Sequence, residues 1–154
     1  MKIIFLDIDG VLNCDRYLIE NKCRGIGIDP MRVLLVADIV RASGAKIVLT
    51  TSWRSHWSEK PEECDAMGQE INEAFAAQGL SVYSKTPRLG YDRESEILAW
   101  LDDNPEVMDF VIIDDMWLQD RALDGHIIHT SPFRGGLCED EAMDAIEILR
   151  GRIE

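Results

Sequence analysis

Histidine is scarce, with three in 154 residues, and the four cysteines at positions 14, 23, 64 and 138 never form a Cys-x-x-Cys pair. A disulfide framework and a soft-ligand metal site are therefore not expected, and a reducing cytoplasm is the simple reading. Positive charge is short as well: 16 Lys and Arg stand against 29 Asp and Glu, a formal net charge of -13. Such a surface repels phosphate backbones, which argues against an extended duplex as partner and leaves a phosphorylated small molecule or a nucleic-acid end. Long apolar runs are missing too. The longest, over residues 33–40, is broken by Asp38 and is far too short to span a bilayer, so no membrane role is expected. The N-terminus shows neither a basic leader nor a cleavable apolar segment, and no repeat, low-complexity stretch or linker interrupts the chain. One domain over 1–154 is expected. At 46% hydrophobic and 29% charged residues, its composition is that of an ordinary folded protein.

The most informative stretch is KIIFLDIDGVLN at residues 2–13. Residues 3–6 form an uninterrupted apolar run, the mark of a strand buried on both faces of a parallel sheet. Asp7 and Asp9 follow at i, i+2, and Gly10 then permits a tight turn. Two acids are thus presented at the carboxyl end of a strand, the edge where open α/β sheets bind ligands.

Further along, residues 14–28 have no sustained period and read as a loop or short flap. Asp29-Pro30 starts a helix that Gly44 closes. Residues 46–49 form a second buried strand ending in Thr50-Thr51. A helical pattern lies between residues 55 and 79, a short strand over residues 80–83, a loop over 85–92, and an amphipathic helix from Arg93 to the residues before Pro105. Residues 109–113 are a third buried strand ending in Asp114-Asp115. Residues 127–128 suggest another strand, and residues 139–149 a closing helix. Repeated strand-then-helix units predict an α/β fold: a three-layer, parallel sheet with helices on both faces and right-handed crossovers.

If these strand ends are neighbours, Asp7, Asp9, Asp114 and Asp115 share one crevice. Two such charges about 4 Å apart repel by roughly 4 kcal/mol at an effective dielectric near 20. A divalent cation relieves that repulsion, and an all-oxygen ligand set selects a hard one, Mg²⁺. The chemistry that suits this arrangement is phosphoryl transfer. Asp7 is placed to attack phosphorus, Asp9 to protonate the leaving oxygen and later activate water. Thr50 or Thr51 would donate to a phosphoryl oxygen, as would backbone N–H groups around Gly10.

LDIDGVLN, LTTSWR, the helix opening at Arg93 and FVIIDDM together resemble haloacid dehalogenase (HAD) superfamily phosphatases. They are most similar to a small family associated with RNA-repair systems. The resemblance implies a Rossmann-like hydrolase fold, Mg²⁺, Asp7 as nucleophile, Asp9 as acid/base, Asp115 as direct metal ligand and Asp114 as its partner. It also implies a basic third-motif residue, for which Arg93 is preferred over Lys85 and Arg88. The intervals between motifs leave little room for a cap, so an open site is expected, although a homo-oligomer could supply a lid in trans.

Arg54 is a candidate substrate ligand, and Asp120 a candidate support for the metal. Trp53, Trp57, Trp100 and Trp117 include candidates for a base-stacking platform, with Trp100 placed in the core by its helical face. His126 and His129 read as structural. Two other function classes compete: a receiver-like phospho-acceptor module, and a Mg²⁺- or nucleotide-binding protein without turnover.

Overall fold

A computed structural model describes residues 1–90 and 92–151. The expectation of one domain over 1–154 also covers residues 91 and 152–154, which lie outside the described residues. Five strands, β1 (Lys2–Leu6), β2 (Lys46–Leu49), β3 (Val82–Lys85), β4 (Asp109–Asp114) and β5 (Ile127–His129), form one sheet in the order β3-β2-β1-β4-β5. Every pairing is parallel. The apolar run that opens the chain therefore becomes the central strand, and its four residues from Ile3 to Leu6 are fully buried. No helix among the described residues is long and apolar enough to cross a membrane.

Alternation along the strands sorts the core into two layers. Ile4, Leu6, Ile47, Leu49, Val111 and Ile113 face helices α2 (Pro30–Ser43), α3 (Ala66–Ala76) and α5 (Glu139–Leu149). Ile3, Phe5, Val48 and Ile112 face α4 (Arg93–Asp103), where Phe5 meets Trp100 edge to face at 5.5 Å. Helix starts follow side-chain chemistry. Asp29 caps α2 through the Met31 N–H, Asp65 caps α3 through those of Met67 and Gly68, and Asp92 caps α4 through that of Ser95.

Three boundaries differ from the sequence reading. A six-residue helix, α1 (Asp15–Glu20), sits in the segment read as loop. It buries no residue and Cys14 makes no side-chain cap, so neither periodicity nor a cap announces it. Between β2 and α3 the chain makes two 3₁₀ turns, Ser52–His56 and Pro61–Glu63, and α3 starts only at Ala66. Finally, β3 lies two residues later than expected, because the Leu80 N–H is used to close the end of α3 on Phe75 O.

One buried side chain joins the ends of the strands. Arg54, 5% exposed, donates from Nε to Thr86 O, from Nη1 to Thr50 O and Thr51 O, and from Nη2 to Pro87 O, while Nη2 also pairs with Glu96 Oε1 at 2.9 Å. Five donors meet five acceptors, and the exits of β2 and β3 are fixed to α4. Arg54→Ala leaves a buried carboxylate and bare carbonyls, so it should lower stability by about 3–5 kcal/mol. A urea midpoint within experimental error of the wild type's would disprove this latch.

Candidate active site

Asp7 directly follows β1, and its N–H continues the ladder to Ile113 O at 3.1 Å. Since Leu6 is in register with Leu49 and Ile113, Asp7 is level with Thr50 and Asp114, and all three share the alternation of the α4 face. That shared parity brings the helix start to the acids. Arg93, the first residue of α4, places Nη1 2.8 Å from Asp114 Oδ2 and 3.1 Å from Asp7 Oδ2. Asp7 Oδ1 accepts from the Ile8 N–H at 2.8 Å, and Asp114 Oδ1 from the Met116 N–H at 2.9 Å.

After Asp7 the chain turns sharply. Ile8 drops into the core, Asp9 emerges to solvent, and Gly10 takes a positive φ of 80°. Glycine is required at this position for a second reason: a Cβ would lie 2.2 Å from Asp115 Oδ2. Asp115 therefore reaches over the turn, and oxygens of Asp7, Asp114 and Asp115 lie within 4.8 Å of one another. The chemistry of this donor set, three all-oxygen carboxylates with one guanidinium against them, fits a hard cation.

Asp9, expected among the ligands, is not in that group. Its Oδ1 accepts from Asn13 Nδ2 at 3.1 Å and its Oδ2 from Trp53 Nε1 at 2.9 Å. The two donors hold an exposed carboxylate in one orientation. Asn13, 1% exposed, also accepts from the Gly10 N–H at 3.1 Å and donates to Gly27 O at 2.8 Å. The Gly10 N–H, expected at the phosphate, is thus already used within the loop. The Asp9 N–H has no partner among the described residues and is the available donor instead.

The two threonines separate by their partners. Thr51 Oγ1 accepts from the Trp53 N–H at 3.3 Å and caps the 3₁₀ turn, whereas Thr50 Oγ1 is buried and has no hydrogen-bond partner among the described residues. Parity and the unpartnered hydroxyl both favour Thr50. Lys85 Nζ donates to Arg54 O and Trp57 O, and Arg88 Nη2 to Ser52 O, so Arg93 is the cation that reaches the acids. Arg54 has no donor left for a substrate. Asp120 caps a 3₁₀ turn through the Ala122 N–H. Asn13 and Trp53 are the two residues to which the sequence reading gave no part at Asp9.

Burial, with the Asp114 charge second, pushes the Asp7 carboxyl up to about 8, and Arg93 offsets only part of that rise. Burial and then Asp114 raise Asp115 as well. Burial pulls the Arg93 guanidinium down, but Asp7 and Asp114 outweigh it and lift it above its ordinary value. An acid with a raised folded pKa binds more protons folded than unfolded, so its contribution to stability falls as pH rises from about 4 to about 8. Asp7→Asn escapes this loss. In EDTA its melting temperature should gain on the wild type's by roughly 2–4 °C per pH unit between pH 5 and 8. Mg²⁺ at pH 8 should narrow the gap, and a pH-independent difference would contradict the charge crowding.

A family model described as the HAD domain in Swiss Army Knife RNA repair proteins matches residues 3–142, a span that contains every acid and cation of this cluster. No curated protein and no solved structure matches the chain. The family match supports a phosphatase of the HAD type in general. With a five-stranded parallel sheet carrying the matched span, the chain belongs to the family of HAD domains in Swiss Army Knife RNA repair proteins.

Proposed function

We propose that the protein is a Mg²⁺-dependent phosphatase that works through an aspartyl-phosphate on a terminal phosphate of a nucleotide or nucleic acid. The observation that carries this reading is the Asp7 carboxylate, held by Arg93 and lying within 4.8 Å of Asp114 and Asp115 oxygens at a strand end. A bound Mg²⁺, held by Asp7, Asp114 and Asp115, would supply the positive charge that keeps Asp7 ionised and neutralises the phosphoryl group. The remaining work falls to the chain.

Arg93 fixes the orientation of Asp7, whose oxygen forms a bond to phosphorus as the bond to the leaving oxygen breaks. Asp9, steadied by Asn13 and Trp53, gives its proton to that oxygen. In the second half it takes a proton from the water that attacks phosphorus, which releases phosphate and restores Asp7. The Thr50 hydroxyl and the Asp9 N–H donate to the phosphoryl oxygens. An anchored acid/base favours turnover over a long-lived phosphorylated state of the receiver kind.

The site is open. Between β1 and β2 the chain adds only α1 and a short irregular segment ahead of α2, and between β2 and α3 only the two 3₁₀ turns. Beside the acids, Ser52, Arg88, Arg93 and Met116 line a shallow cleft. Room for a bulky substrate and the Arg88 and Arg93 guanidiniums in the cleft, within an otherwise acidic surface, support the end of a strand as substrate.

Phosphate release from nucleoside monophosphates, 3′- and 5′-phosphorylated oligonucleotides and p-nitrophenyl phosphate tests this, with Mg²⁺ or EDTA. Activity should require Mg²⁺ and vanish in Asp7→Asn. Asp9→Asn should lose on the order of 10²–10⁴-fold in kcat. Thr50→Val should lose about 10²–10³-fold, and Thr51→Val much less. Turnover that survives in folded Asp7→Asn would sink the proposal.

A further inference from the structure

The loop after β4 carries an aromatic surface that the chemistry at Asp7 leaves unused. Trp117 lies two residues beyond Asp115, and its indole rests flat on the His129 imidazole, with ring centroids 3.6 Å apart and planes 13° apart. Trp117 is nevertheless 76% exposed, so one ring face is stacked and the other is open to solvent. His129 pairs in register with Asp114 on the neighbouring strand. At a strand spacing of about 4.8 Å, the base of this stack is one strand away from the acidic cluster.

The loop is held at both ends. On one side the Met116 N–H donates to Asp114 Oδ1, and on the other the Gln119 and Asp120 N–H groups both donate to Glu94 Oε2. A fixed indole needs little further ordering to receive a ligand. Met116, next to Trp117 in the chain and 48% exposed, lines the cleft that contains Arg93, the residue paired with Asp7.

Within a surface of net charge -13, this patch is uncharged, flat and about the size of one ring system. It suits a neutral, planar, π-rich group attached to a phosphate held at the site proposed above. A nucleobase has those properties, and stacking on an indole tolerates any base. We propose that Trp117, backed by His129, seats the nucleobase next to the scissile phosphate, so that the site selects base-bearing phosphates over baseless sugar phosphates. The position of the phosphate rests on the phosphatase reading above, but the seat can be tested by binding alone.

Calorimetric titration of Asp7→Asn in Mg²⁺ with adenosine 5′- and 3′-monophosphate and with ribose 5-phosphate provides that test. The better adenosine monophosphate should bind about tenfold to hundredfold more tightly than ribose 5-phosphate. Adding Trp117→Ala should erase the gap and leave ribose 5-phosphate binding unchanged, while Trp117→Phe should keep most of it. Equal affinities before the Trp117 change would overturn the seat and assign the open indole to another occupant, such as a side chain of a partner protein. A gap that survives Trp117→Ala, or an equal loss for all ligands, would overturn it too. If no phosphate is hydrolysed by the wild type yet Trp117→Ala erases the gap, the seat stands and the phosphatase reading falls.

Discussion

Three carboxylates forced together at the edge of a buried sheet are the constraint on which this structure turns. Asp7 is 4% exposed and Asp114 fully buried, so water solvates neither carboxyl, and Asp115 packs against the turn at Gly10 beside them. The single guanidinium of Arg93 spans Asp7 and Asp114 but leaves the cluster with excess negative charge. Buried like charges of this kind cost stability, and proteins retain them where ion binding or chemistry requires them. The parallel register keeps them there. Because β1 is paired on both sides, by β2 and β4, the acids cannot drift apart without breaking the ladder.

Much of this was legible before any coordinates. A four-residue apolar run followed by Asp-x-Asp-Gly identifies a central strand and its functional end, because both the burial and the turn are local properties. The cap at Asp29 is local as well, whereas those at Asp65 and Asp92 emerged only with the structure. What the sequence hid was long-range. Trp53 meets Asp9 across 44 positions, and nothing about an isolated indole announces a carboxylate partner. Arg54 looked like a phosphate ligand because a basic residue beside a strand end usually invites that reading, yet four of its five acceptors are backbone carbonyls, which carry no sequence signature, and the fifth is Glu96, 42 positions away.

Thr50 and Thr51 show a different limit. Adjacent residues on a strand point to opposite faces, so distinguishing them requires a boundary known to a single residue. The register of Leu6 with Leu49 supplies it. Asp9 fell outside the carboxylate cluster for the same reason in reverse. Spacing of i, i+2 puts two side chains on one face only while the strand continues, and here the strand stops at Leu6. The chain turns at Ile8, and the second acid is directed to solvent, where Asn13 and Trp53 hold it.

The contact between Gly10 and Asp115 has a mechanical meaning beyond shape. A bare α-carbon with an acid packed against it acts as an interlock: the turn after Asp7 cannot swing outward unless the β4 loop yields too, and Thr130 Oγ1, donating to Gly10 O at 2.9 Å, ties the segment after β5 into the lock. The turn after Asp7 and the β4 loop therefore shift as one body or not at all, which fixes the height of the Asp7 carboxyl relative to Asp115.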